Sequence, residues 1–362
     1  MRILLAGEWR ARIHEKGLSE ALRRAGCEVY EFAWHKYFCG MGVGGNINHL
    51  KDVFLRAQAK LVYGPVIHKI NADFIKTAAE VMPDVVFIYR GILIGLETLQ
   101  KVKARAKSTV ILGYNNDNPF SPAYNSLMWR RHVRSIAGYD MVFAYRPENI
   151  AQYKNAGARR VSILPPWYLP EEVFPIQDLP ANGDKKKYAC DVAFIGHYEP
   201  DGRAEILEYV ARAGVSLKLC GPEWKKYITR YPCLQKCFCG EIPRDTEYNK
   251  AINGAKIGLC FFSKLNRDVY TRRCFEIPAA GTFLLSENSR EMREFFRPGI
   301  EADYFANRQE LLDKILFYLS DDVLRQKVAL AGLRRVRQDG HDVYSRAQYI
   351  MQSINGFKSG KL

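Results

Sequence analysis

Short apolar runs alternate with amphipathic stretches along most of this chain. Residues 2–6 form an apolar strand closed by Gly7, and residues 14–25 then place Leu18, Ala21 and Leu22 on one helical face before Gly26. Residues 27–33 make a second strand. Strand, glycine, helix and strand in that order open a doubly wound α/β domain. Residues 52–81 read as mostly helical, and 84–89, 110–114 and 141–145 as further strands.

The pattern then stops and restarts. Pro165-Pro166-Trp167-Tyr168-Leu169-Pro170 and the charged run Gly183-Asp184-Lys185-Lys186-Lys187 suit an extended, solvated connection. They place a boundary between about residues 170 and 188, giving an N-terminal domain over 1–175 and a second over 186–342. The second half repeats the alternation, with strands at 191–195, 216–220, 238–242, 257–262 and 282–285. Helices are expected at 203–213, 248–255, 291–296, 309–320 and 321–337, and residues 344–354 are amphipathic. The glycine-rich segment 37–48 reads as a loop, and without G-x-G-x-x-G after the first strand there is no dinucleotide fingerprint.

Composition adds sign and compartment. Lys and Arg number 54 against 39 Asp and Glu, a net charge of +15, which attracts phosphates in nucleotide sugars, anionic lipid or nucleic acid without choosing among them. The first residues lack the apolar core of a signal peptide and no run is long enough to span a bilayer, so a cytoplasmic location is expected, with peripheral contact at an anionic membrane face allowed. Nine cysteines suit reduced thiols. Cys233, Cys237 and Cys239 lack a fourth ligand nearby, so no metal is expected.

In the αβ unit Tyr270–Asn288 charge is concentrated at one end, where Arg272, Arg273 and Glu276 precede Ala279-Ala280-Gly281 and the apolar strand. Taken alone, such a cluster equally suits surface ion pairs at helical spacing. The run R-x-F-E-I-P-A-x-G-x-F-L-L-S, followed by Phe295-Phe296, Gly299-Ile300-Glu301, Tyr304-Phe305, Glu310-Leu311 and Ala331-Gly332, resembles the C-terminal half of the CgeB-like glycosyltransferases, a branch of the GT-B nucleotide-sugar transferases. The resemblance implies a GT-B fold of two Rossmann-like doubly wound domains facing across a cleft, with residues 343–362 crossing back onto the first. It implies Gly196, His197 and Arg203 at the donor diphosphate, Gly240, Glu241 and Ile242 against the base, and Arg272 and Arg273 on the leaving group. Glu276 would bind the ribose hydroxyls. Its usual partner glutamate is absent, Asp268 lying eight positions earlier, so the stereochemistry stays open.

In the first half, Asn115-Asn116-Asp117-Asn118-Pro119 follows a strand at the mouth of the sheet. It is a good turn sequence, and Asp117 is also a candidate base for an acceptor hydroxyl. The resulting expectation is a metal-independent glycosyltransferase with no cofactor. It would move a sugar from a nucleotide-sugar donor to a glycan or lipid-linked acceptor in surface polysaccharide synthesis. Transfer to modified DNA bases and nucleotide binding without turnover are the alternatives.

Overall fold

The computed structural model describes residues 1–38, 49–124, 127–177, 187–243 and 246–360. The chain divides into two compact units, Met1–Pro166 with Val343–Leu362, and Trp167–Asp342. This division falls ahead of the boundary read from the sequence. Trp167, Tyr168, Leu169 and Val173 are buried, and the Tyr168 amide donates to His341 O at 3.2 Å, so the proline-rich segment is docked as part of the second unit. The glycine-rich segment from residue 39 and most of the lysine run lie outside the described residues.

The first unit holds a six-stranded parallel sheet made of β1 (Arg2–Gly7), β2 (Glu28–Ala33), β3 (Val85–Tyr89), β4 (Val110–Asn115), β5 (Met141–Ala144) and β6 (Val161–Ile163), in the order β2-β1-β3-β4-β5-β6. Every residue of β3, β4 and β5 is buried, as expected for strands covered by helices on both faces. The span read as mostly helical holds two helices, His49–Leu61 and Pro65–Val81. Val62 with φ +50° and Gly64 with φ +119° turn the chain, and Pro65 opens the second helix where its missing N–H costs nothing. The last helix, Val343–Lys358, buries Ala347, Ile350 and Ile354 and packs on the helix Gly17–Arg24, with the Arg24 guanidinium 4.4 Å above the Tyr344 ring.

The second unit repeats the architecture with β7 (Cys190–Ile195), β8 (Leu217–Cys220), β9 (Phe238–Gly240), β10 (Ala255–Cys260), β11 (Phe283–Glu287) and β12 (Asp303–Phe305). Its order is β12-β11-β10-β7-β8-β9, all parallel. Phe194, Phe261 and Phe283 are buried with Leu207 and Trp224 in its core, where each large apolar side chain contributes about 1.5–3 kcal/mol. Helix starts are capped as the sequence invites. Ser289 Oγ accepts from Met292 N, Asn307 Oδ1 from Gln309 and Glu310 N, and Asp321 Oδ1 from Leu324 N. No helix among the described residues is long and apolar enough to cross a membrane.

The strand orders fix where ligand-binding loops can lie. In each sheet the winding reverses once, between β1 and β3 in the first unit and between β7 and β10 in the second. Loops leaving the carboxyl ends of such a pair diverge and leave a crevice.

Candidate functional site

In the second unit the crevice is bounded by the loop after β7 and the loop after β10. The β7 strand ends at Gly196, whose N–H donates to Cys220 O at 2.8 Å and whose carbonyl accepts from the Trp224 indole at 2.8 Å. Gly221 lies against that carbonyl with φ +154°, and a Cβ there would come within 1.9 Å of Gly196 O. A side chain at 221 therefore meets both an unfavourable backbone conformation and a backbone atom that is already hydrogen-bonded. Gly221→Ala is expected to lower the unfolding free energy by about 3 kcal/mol, read in urea denaturation.

Arg273 stands over Gly196. A Cβ on Gly196 would come within 2.7 Å of the Phe194 ring and 3.2 Å of Arg273 Nη2, so the ring and the guanidinium both crowd the strand end that glycine leaves open. The residue is half-buried, its Nε is buried without a hydrogen-bond partner, and no ion pair engages it among the described residues. A buried guanidinium nitrogen without an acceptor is costly unless something anionic completes it. Partial desolvation first, and the Arg273 charge second, hold the pKa of His197, at the lip of the same loop, below its ordinary value. The loop therefore concentrates positive potential without needing His197 charged.

Arg203 has a different place from the one its motif suggests. It is 3% exposed, with Nε and Nη2 on the two oxygens of Asp201 at 2.9 and 2.7 Å, Nη1 on His197 O at 2.9 Å and Nη2 also 3.2 Å from Phe262 O. Glu199 lies 3.3 Å away. Instead of facing outward to a diphosphate, this arginine ties the β7 loop to the β10 loop across the crevice. The reason is local: the turn Glu199-Pro200-Asp201-Gly202 folds two carboxylates back onto it. Lys264 continues the lacing, its N–H on Glu199 and its ammonium on Glu287.

Glu276 is also internal. It is 3% exposed, accepting the Tyr248 hydroxyl at 2.5 Å on one oxygen and lying 2.7 Å from Arg272 Nε through the other. Burial first, then the carboxylate, raises the Tyr248 hydroxyl well above the ordinary phenol range, so it stays a donor. Where the resemblance implies ribose contacts, the carboxylate is held by protein partners and anchors the start of the helix Arg273–Ala279. That helix is wedged by Phe275, which stacks on His341 at 4.3 Å and meets Phe295 edge-on. Of the remaining positions, Gly240 closes β9 with φ +110° and an open Cβ direction, its carbonyl accepting Gly221 N at 2.9 Å. Glu241 is exposed and Ile242 half-buried just beyond it, on the same edge of the sheet as Gly196.

Asp117 belongs to the first unit, after β4, where its Oδ2 lies 2.7 Å from Arg90 Nη2. Arg90 follows β3 with φ +53° and Trp9 follows β1 with φ +59°, so both rims of that sheet's reversal hold strained backbone, a feature that concentrates at functional positions. Between them the Tyr89 hydroxyl and His14 Nδ1 share a 2.9 Å hydrogen bond, and Glu15 is buried against Glu8 N, its pKa raised chiefly by burial. The sequence reading passed over His14, Tyr248, Trp224 and Asp201. Only Asp201, two residues before an arginine in a Pro-Asp-Gly turn, carried a local signal. Among the described residues no three His, Cys, Asp or Glu side chains converge as a metal-ligating group.

Comparison with known proteins bears on the fold. Residues 203–352 match the glycosyl transferase-like family, and no curated protein matches the chain in sequence. Among solved structures, the sucrose-phosphate synthase of Thermosynechococcus elongatus superposes with a TM-score of 0.70 at 13% identity, covering 99% of this chain and all of its own. Anabaena HepE in complex with UDP and glucose gives 0.67 at 14%, covering 98% and 100%. A glycosyltransferase from Rickettsia africae gives 0.63 at 13%, with 98% of each chain covered. The chain therefore has the two-sheet fold of the GT-B glycosyltransferases, and its residues 203–352 are similar to the glycosyl transferase-like family.

Proposed function

We propose that this glycosyltransferase-fold protein takes its sugar from a UDP-linked donor and passes it to a hydroxyl of a glycan or lipid-linked acceptor in surface polysaccharide synthesis, as a CgeB-like enzyme. The observation that carries the reading is Arg273, whose buried Nε has no hydrogen-bond partner and whose Nη2 stands over the Gly196 strand end. The UDP and UDP-glucose complexes of HepE, on the same fold, support the choice of base. In the reaction the bond from the anomeric carbon to the diphosphate oxygen breaks and UDP departs. The acceptor oxygen bonds to that carbon, and its proton passes to a base. Growing charge on the leaving diphosphate is met by Arg273, with Arg272 beside it, which makes a divalent cation unnecessary in this proposal. Arg203 acts at one remove, by holding the loop.

On the first unit we assign Asp117 as the base, oriented by Arg90. The test is transfer from UDP-glucose to a glycan acceptor in excess EDTA, by wild type and Asp117→Asn. Wild type is expected to retain its rate in chelator, and the variant to lose about 10²–10⁴-fold while still binding UDP. Rescue of a chelator-dead enzyme by magnesium or manganese overturns metal independence. An unchanged rate for Asp117→Asn with a collapsed rate for His14→Ala moves the base to His14. Steeply salt-dependent retention on DNA in place of glycan transfer reassigns the acceptor.

A further inference from the structure

The helix His49–Leu61 turns one face inward and leaves the other bare. Leu55, Gln58 and Val62 are buried, whereas Val53, Phe54, Leu61 and Tyr63 are 50%, 57%, 50% and 63% exposed. At about 100° per residue, Val53, Ala57, Leu61 and Phe54 fall on one stripe about 100° wide, with the exposed Arg56 and Lys60 along its flank. The turn that follows is fixed. Gln58 Oε1 accepts Val66 N at 2.9 Å and Arg131 Nη1 donates to Val62 O at 2.6 Å, so Tyr63 is held outward at the end of the stripe.

That second bond comes from the neighbouring helix Leu127–Ser135, which packs on this one and carries the exposed Leu127, Arg130 and Arg134 at helical spacing. In sequence the two helices hold Lys51, Arg56, Lys60, Arg130, Arg131 and Arg134 against Asp52 alone. An exposed aromatic and aliphatic stripe rimmed by cations in this proportion matches one kind of partner: an interface whose outer layer is anionic and whose next layer is apolar.

We infer that this face docks on an anionic lipid bilayer, Phe54, Leu61 and Tyr63 entering the boundary between headgroups and acyl chains while Arg56, Lys60 and Arg130 meet lipid phosphates. The inference goes beyond the transfer reading and needs no nucleotide sugar. Its failure would leave transfer to a soluble glycan standing, and failure of the transfer reading would leave the docking intact.

The experiment is vesicle co-sedimentation of the full chain in 150 mM salt, with phosphatidylcholine alone and with phosphatidylcholine containing about 30% phosphatidylglycerol. Binding to the anionic vesicles is expected to be at least tenfold tighter. The pair Phe54→Ser and Leu61→Ser should weaken it at least tenfold at unchanged Tm, and Arg56→Glu with Lys60→Glu should do the same and flatten the salt dependence. Equal binding to both vesicles, or loss on charge reversal with none on apolar replacement, overturns the insertion. So does a concentration-dependent dimer, seen by sedimentation velocity and abolished by the serine pair, in a protein that ignores vesicles. That result would give the face to a second copy of the chain.

Discussion

Arg273→Ala is expected to abolish the thermal stabilisation by UDP and to lower kcat/KM for the sugar donor by at least about 10²-fold, the scale on which a single positioned charge acts in a desolvated site. In wild type, UDP at 100 times its Kd contributes about 2.7 kcal/mol, which for a unit of this size raises Tm by about 5–10 °C. The variant shows no such rise, although its own stability is unchanged or improved, because the half-buried guanidinium engages no protein acid among the described residues. Arg273→Lys recovers part of the shift, since the ammonium keeps the charge and loses the fork. A full UDP shift in Arg273→Ala would mean that the diphosphate sits elsewhere.

The second large effect is on stability. Glu276→Ala removes the acceptor of the Tyr248 hydroxyl and the partner of Arg272 at the start of the helix that positions Arg273. A buried hydroxyl left without an acceptor costs about 1–3 kcal/mol. The ion pair adds less than a fully buried one would, because Arg272 is about one-third exposed. The sum is about 3 kcal/mol, seen as a lower urea midpoint. Tyr248→Phe costs about 1 kcal/mol, and combined with Glu276→Ala it costs less than the two separately, since both remove one hydrogen bond. UDP affinity falls with stability in Glu276→Ala. If affinity were lost with stability unchanged, the carboxylate would be a ribose ligand, as the resemblance implies, rather than an anchor.

Much of the architecture could be read from the chain because parallel strands buried on both faces are short and continuously apolar, as Val85–Tyr89 and Met141–Ala144 are. The edge strands Val161–Ile163 and Asp303–Phe305 escaped notice. They have three residues each, and β6 is only half-buried, so neither makes an apolar run. The break at Val62–Gly64 was hidden by apolar spacing that continues through it, although Gly64-Pro65 marked the place.

The site divides in the same way. Arg273 stood out in the sequence because its segment sets charge at one end of an αβ unit and carries the family resemblance; its place over Gly196 was not legible there. What Arg203 and Glu276 do was not visible, because it depends on partners the local pattern does not link. Tyr248 reaches Glu276 from 28 positions away, and Phe262 O reaches Arg203 from 59. A motif locates a charged side chain along the chain; burial and the nearest counter-charge decide whether it faces a ligand or the protein.

In a structure of the chain with UDP bound, the diphosphate is expected at the end of β7, its oxygens within hydrogen-bonding distance of the Arg273 guanidinium and the backbone following Gly196, with Arg203 still held by Asp201. UDP lodged away from that strand end, or Arg273 turned to bulk water with the nucleotide in place, would contradict this placement.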